Sequence, residues 1–128
     1  MRYLLDTDVV VDHLRSKRMI DEDVLSGGAA ISIITLGELI YGACRSHNPD
    51  RSLATLEKSL QLLALEVKNL DDVIIVEFGK IKAGLEKSGA KLEDFDILIG
   101  ATARRLGLTL VTRNVKHFGR ISHLTVQE

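Results

Sequence analysis

A chain of 128 residues, 45% hydrophobic and 27% charged with a formal net charge of -1, has the mixture of a globular protein that buries one core. That balance excludes a disordered or fibrous chain and a uniformly basic nucleic-acid coat, but leaves local basic clusters open. The one cysteine, Cys44, cannot form an intramolecular disulfide, and no Cys or His pair has zinc-ligand spacing, so a reducing, intracellular setting is expected. Cys44 lies in the helical pattern "ELIYGACR" and reads as a packing residue. Asp6 interrupts any signal-like N-terminal region, and the longest charge-free run, Val24 to Gly37, is shorter than the ~20 residues that cross a bilayer. A cytoplasmic protein with no membrane partner is the expectation.

In chain order, "RYLL" (2–5) is a short apolar strand ending at Asp6 and Thr7. The segment from there to about Arg15 reads as a helix, although Val9, Val10 and Val11 suit a strand equally. "GGAAISII" (27–34) has a strand-like core, and "TLGELIYGACR" (35–45) reads as helix. Pro49, in "SHNPD", marks a loop between two helices, the second of which spans Arg51 to Ala64 with Leu53, Leu56, Leu60 and Leu63 on one face. "LEV" (65–67) is a minimal strand. Asn69 is the expected N-cap of a helix running to about Ser88, with Val73, Val76, Ile81 and Leu85 apolar and Gly89 at its end. Phe95 to Leu106 is an apolar helix stopped by Gly107, "LTLVT" (108–112) is a strand and "LTV" (124–126) another. The alternation predicts one α/β domain over 1–128, with a parallel sheet covered by helices on both faces.

The acids stand out against this frame. An ionised carboxylate at the end of a core strand is costly unless it caps a helix, meets a cation or stays exposed. In open α/β sheets, ligands bind beyond the carboxyl ends of the strands, where the strand order reverses. Asp6 follows the first strand, and Glu38 comes one helical turn after the second. Asp94 and Asp96 open the helix before the next strand, and Arg113 and Asn114 follow that strand. Each acid also has a structural reading. Thr35-Leu36-Gly37-Glu38 matches a capping box, Asp94 suits a helix cap, and Asp96 suits the positive end of the helix dipole. Two residues apart on a helix lie on nearly opposite sides, so only one of Asp94 and Asp96 can enter a shared site. Asp8 and Asp12 share a helix face, on the rim or in solvent. Three or four hard oxygen donors with no obligatory His or Cys favour Mg²⁺ or Mn²⁺ over a proton-sharing pair, and such a site orients a phosphodiester.

Four blocks, "YLLDTDVVVDHL", "SIITLGELIYGA", "EDFDILIGATARRLGLTLVTRNVKHFGRI" and "LTVQE", together resemble the PIN-domain family, specifically the toxin ribonucleases of VapC type. Arg51 to Lys91 matches only in helical character and length. The resemblance implies a PIN-like three-layer α/β sandwich and hydrolysis of single-stranded or loop RNA at a Mg²⁺ or Mn²⁺ site. It places Asp6, Glu38 and Asp96 as catalytic metal ligands. Thr7 supports the first acid, and Asp94 is a further candidate support. In "TRNVKHF", where relatives often carry an acid, Asn114 and His117 occupy the candidate places of a fourth ligand: Asn114 as one acting through a metal-bound water, His117 being read rather as a surface residue. Arg113 or Lys116 is expected to contact RNA phosphate. A homodimer and a cognate antitoxin of VapB type are implied too, with Leu39, Ile40 and Tyr41 as candidates for the antitoxin groove. Two rival readings stand beside this one. In a haloacid-dehalogenase-like phosphatase Asp6 would be the nucleophile and Asp8 the general acid, though Val10 stands where that motif has Thr. The other is a PIN-like binding module without catalysis.

Overall fold

Successive side chains of a strand point to opposite faces, so a three-residue strand feeds two cores at once. In the computed structural model, which describes residues 1–128, β1 (Tyr3–Leu5) does this. Leu4 packs on one side with Leu110, Ile97 and Phe118, whereas Tyr3 and Leu5 pack on the other with Val9, Ile31 and Leu39. Four further strands, β2 (Ala29–Ser32), β3 (Glu66–Lys68), β4 (Thr109–Val111) and β5 (Val126–Gln127), complete the sheet. Its order is β3-β2-β1-β4-β5 and every pair is parallel, with Leu4 opposite both Ala30 and Leu110. The central strand is therefore the first in sequence. The edges are short, and β3 carries Glu66 and Lys68, a pattern that discourages pairing with other chains.

Seven helices cover the two faces: α1 (Thr7–Leu14), α2 (Glu22–Ser26), α3 (Ile33–Cys44), α4 (Pro49–Leu62), α5 (Asp72–Lys87), α6 (Asp94–Leu106) and α7 (Val115–Phe118). One face is built with α1 to α4 and the other with α5 to α7, the three-layer α/β architecture expected of the chain. Leu53, Leu56, Leu60 and Leu63 line one side of α4 against the first core, as their spacing predicts. No helix is long and apolar enough to cross a membrane.

Several local expectations are corrected. Ser32, not Thr35, caps α3 by accepting the Ile34 N–H at 3.0 Å, because β2 runs directly into the helix; Glu38 then lies in the second turn, outside any capping box. Pro49 is the first residue of α4 and not a loop residue, since its missing N–H costs nothing there, and Asn48 accepts the Arg51 N–H. Asp71 replaces Asn69 as the cap of α5. Its buried stripe is accordingly Ile74, Phe78, Ile81 and Leu85, leaving Val73 and Val76 43% and 57% exposed. Asp94 is the first residue of α6 and caps nothing. Cys44 ends α3 in solvent instead of packing. The short helices α2 and α7 carry too few residues to show a period.

The Arg104–Glu77 pair at 2.6 Å joins α6 to α5, and on α6 Gly100 packs closely against the segment after α7, where a Cβ would stand 2.6 Å from Ile121 Cδ1. Gly107 ends α6 with φ of 67°, a conformation that favours glycine. Gly100→Val should overpack this contact and lower stability by about 1–3 kcal/mol, seen as a reduced urea midpoint at unchanged slope.

Candidate active site

A helix that follows a parallel strand starts at that strand's carboxyl end, and a helix that leads into the next strand starts there too. The beginnings of α1, α3 and α6 therefore gather at one edge of the sheet. The strand order reverses between β1 and β4, and Asp6 ends the first of these while Thr112 ends the second. Leu5 pairs with Val111, so the next residues along are neighbours. Thr112 Oγ1 donates to Asp6 Oδ2 at 2.8 Å, and the Thr7 N–H donates to Asp6 Oδ1 at 2.8 Å. Asp6 thus caps α1 while only 7% exposed. Thr7 Oγ1 lies 2.7 Å from Glu38 Oε1 and 3.0 Å from the buried Thr35 Oγ1, its one hydrogen serving the carboxylate. Thr7 links the first acid to the second.

Asp94 and Asp96 point apart. Asp94 pairs with Lys82 on α5 at 2.9 Å. Asp96 Oδ2 meets His117 Nε2 at 3.0 Å, so His117 is a partner of the acidic site and not the surface residue the sequence suggested. Asn114 begins α7, and its N–H reaches Thr112 Oγ1 at 3.0 Å, but its exposed side chain makes no hydrogen bond. Arg113 is held inward: its N–H donates to Asp8 Oδ2 and its Nε to Asp12 Oδ2 at 3.3 Å. Asp8 and Asp12 are accordingly half-buried clamps on the loop after β4, not solvent residues. Lys116 is exposed and unpaired.

Burial, then the charge of Asp8, raise the Asp6 pKa from the usual 3.8 to about 6. The hydrogen bonds from Thr112 and Thr7 oppose that rise, while Asp96 adds to it. Asp8 is raised as well, chiefly by burial, and its Oδ1 is buried with no hydrogen-bond partner. No lysine or arginine pairs with Asp6 or Glu38, which therefore carry no ion-pair partner from the protein's own cations. No three of the site's acidic or imidazole groups converge to enclose an ion as they stand. The donor set is a partial shell of hard oxygens; Mg²⁺, which keeps several waters and takes one or two carboxylates plus substrate phosphate, suits such a shell. Beside it, a cavity of about 820 Å³ between α5 and the start of α6 is lined by Glu38, Asp96, Phe95, Lys82 and Lys91.

A family model described as PIN domain matches residues 3–124. The chain belongs to the PIN domain family. Ribonuclease VapC2 of Haemophilus influenzae is 34% identical to it over 99% of this chain and 97% of that protein. The tRNA(fMet)-specific endonuclease VapC of Shigella flexneri is 31% identical over 100% and 98%. Among solved structures, DNA-bound VapBC from Salmonella typhimurium superposes with a TM-score of 0.90 at 32% identity, covering 99% of this chain and 97% of that one.

The sequence of this PIN domain offered a signal for Thr112 that went unread, a hydroxyl directly after the strand beside the central one. Thr35 reads as a cap and is instead a buried hydroxyl beside Thr7. His117 stands at a candidate place of the fourth ligand, but its contact with Asp96 depends on how α7 folds back toward α6. The raised pKa of Asp6 means that the folded state binds its proton more tightly than the unfolded chain. Stability is therefore lost as pH rises from about 4 to about 6 and stays lost above that. In EDTA at about pH 7.5, Asp6→Asn should be more stable than the parent by on the order of 2–3 kcal/mol, with the gain gone near about pH 4, as read by urea unfolding at each pH.

Proposed function

We propose that this chain, as one PIN domain over 1–128, is a divalent-metal-dependent endoribonuclease and the toxin of a toxin–antitoxin pair. The observation that carries the reading is the buried Asp6 carboxylate at the β1/β4 reversal, raised in pKa and unpaired with any protein cation. The VapC ribonucleases and VapBC complexes to which the chain is similar along its full length support it.

In this reading Asp6, Glu38 and Asp96 hold Mg²⁺ or Mn²⁺, with Asn114 as a water-mediated fourth contact. When bound, the ion stabilises charge on the phosphate oxygens and acidifies a water. The chain's own residues set the geometry. Thr112 and the Thr7 N–H fix Asp6 by one hydrogen bond to each oxygen, which leaves each oxygen a further lone pair, and the Thr7 hydroxyl fixes Glu38. Lys116, an exposed cation without an ion-pair partner beside His117 in the chain, attracts the RNA backbone, a role that the pairing of Arg113 with Asp12 makes less available to Arg113. Exposed apolar residues match the implied protein partners: Tyr41 and Ile40 on α3, with Val73 and Val76 on α5, for a second copy or a VapB-type antitoxin. Leu39 belongs chiefly to the core, but borders a groove between α1, α3 and α4.

The phosphatase alternative needs Asp8 presented beside Asp6 as an acid. Asp8 is instead turned onto the Arg113 N–H, with its other oxygen buried.

Purified protein should cut a mixed structured RNA with Mg²⁺ or Mn²⁺ and not with EDTA, and identically purified Asp96→Asn should be inactive. Metal-independent cleavage, or equal cleavage by the variant, would count against the assignment. Glu38→Gln keeps the acceptor for Thr7 but weakens a metal ligand, so thermal stability should hold within about 1 kcal/mol while cleavage collapses. Lys116→Gln should weaken RNA binding and reduce the slope of log affinity against log salt by about 0.7, measured by fluorescence anisotropy.

A further inference from the structure

The contact between α6 and α7 adds a residue to this site. Asp96 stands in the first turn of α6, and His117 in the four-residue helix that follows β4. They meet through one pair of atoms, Nε2 and Oδ2, at 3.0 Å, both side chains being largely shielded from solvent. An ionised carboxylate only accepts hydrogen bonds, so Nε2 carries the hydrogen and donates it. The ring is held edge-on against the buried Phe118, with centroids 5.3 Å apart, which limits its rotation. Asp96 Oδ1 has no partner. The carboxylate is thus pinned by one oxygen and open at the other.

We infer that His117 is a positioning residue for the metal site: its Nε2–H holds Asp96 by Oδ2 and leaves Oδ1 as the oxygen offered to a divalent cation. This inference rests on the nuclease reading, and it deepens that reading by giving Asp96 one ligating oxygen in place of a chelating pair. Hydrogen-bond partners of ligating groups act in this way by fixing the ligand's direction, and their loss commonly reduces metal affinity or activity by about 10–100-fold. An imidazole donor at 117 also adds no negative charge. A carboxylate there would be repelled by Asp96 in the absence of an ion, whereas His117 keeps Asp96 in place before the ion arrives. His117 prepares the site.

The test is binding of Mn²⁺ alone, followed by the loss of the free-ion electron paramagnetic resonance signal, with RNA cleavage measured separately. His117→Ala should bind Mn²⁺ about tenfold more weakly and lose kcat with little change in KM for RNA. His117→Gln, whose amide N–H reaches a similar point, should recover most of both. Mn²⁺ binding by His117→Ala equal to the parent's overturns the inference. So does a Gln variant no better than Ala, the result expected if the imidazole itself were the ligand or merely packed. Asp6→Asn separates the two readings. If Mn²⁺ binding needs Asp6 but ignores residue 117, only the role of His117 falls; if the parent binds no Mn²⁺, both fall.

Discussion

One carboxylate buried at the end of the central strand governs the rest of this site. Asp6, 7% exposed, directly follows β1, the strand whose residues feed both cores. The chain holds it there with neutral donors, the Thr7 N–H and the Thr112 hydroxyl, and supplies no lysine or arginine. A paired cation would have made the residue more stable and chemically inert. Neutral donors fix the oxygens in direction and leave their charge standing, so burial, and then the charge of Asp8, raise the Asp6 pKa, the condition on which the proposed metal site rests.

The protein's arginines serve a different purpose a few residues away. Asp8 and Asp12, on α1, grip the backbone and side chain of Arg113 on the loop after β4. This ties the first helix to the loop that follows β4, the strand beside β1 at the reversal point. The first turn of α1 therefore does two things. Asp6 and Thr7 build the acidic site, while Asp8, one residue on, anchors the wall behind it. The same separation of roles divides α6, where Asp94 faces Lys82 and Asp96 faces His117.

Membership of the PIN family and similarity to VapC proteins give the fold its functional context, and the departures at residues 114 and 117 give this chain its individuality. The family resemblance leads one to expect a further acid where the chain has "TRNVKHF". In its place stand an amide that makes no side-chain contact and an imidazole that grips an existing acid. Neither of these residues adds a negative charge to the cluster, so the proposed metal site has fewer anionic ligands and relies more on how those ligands are oriented.

Much of this was legible in the chain. The alternation of the strands with the longer helices, the leucine face of α4 and the stop at Gly107 follow from local patterns. Periodicity, capping chemistry and glycine's tolerance of positive φ act over a few residues. The strand-end positions of Asp6, Glu38 and Asp96 were legible for a related reason: a parallel sheet sends every such position to one edge. What the chain could not disclose alone was which of several local options the packing selects. Ser32 displaced Thr35 as a cap because β2 continues into α3 without a turn, and this released Glu38 to meet Thr7. The Asp71 cap shifted the buried stripe of α5 and left Val73 and Val76 outside. The Thr112–Asp6, Arg113–Asp12 and His117–Asp96 contacts join residues separated by 106, 101 and 21 positions. Local sequence determined the elements and the edge at which the acids gather. Only the tertiary structure decided which donor holds which acid, because a hydrogen bond depends on fractions of an ångström that no spacing along the chain encodes.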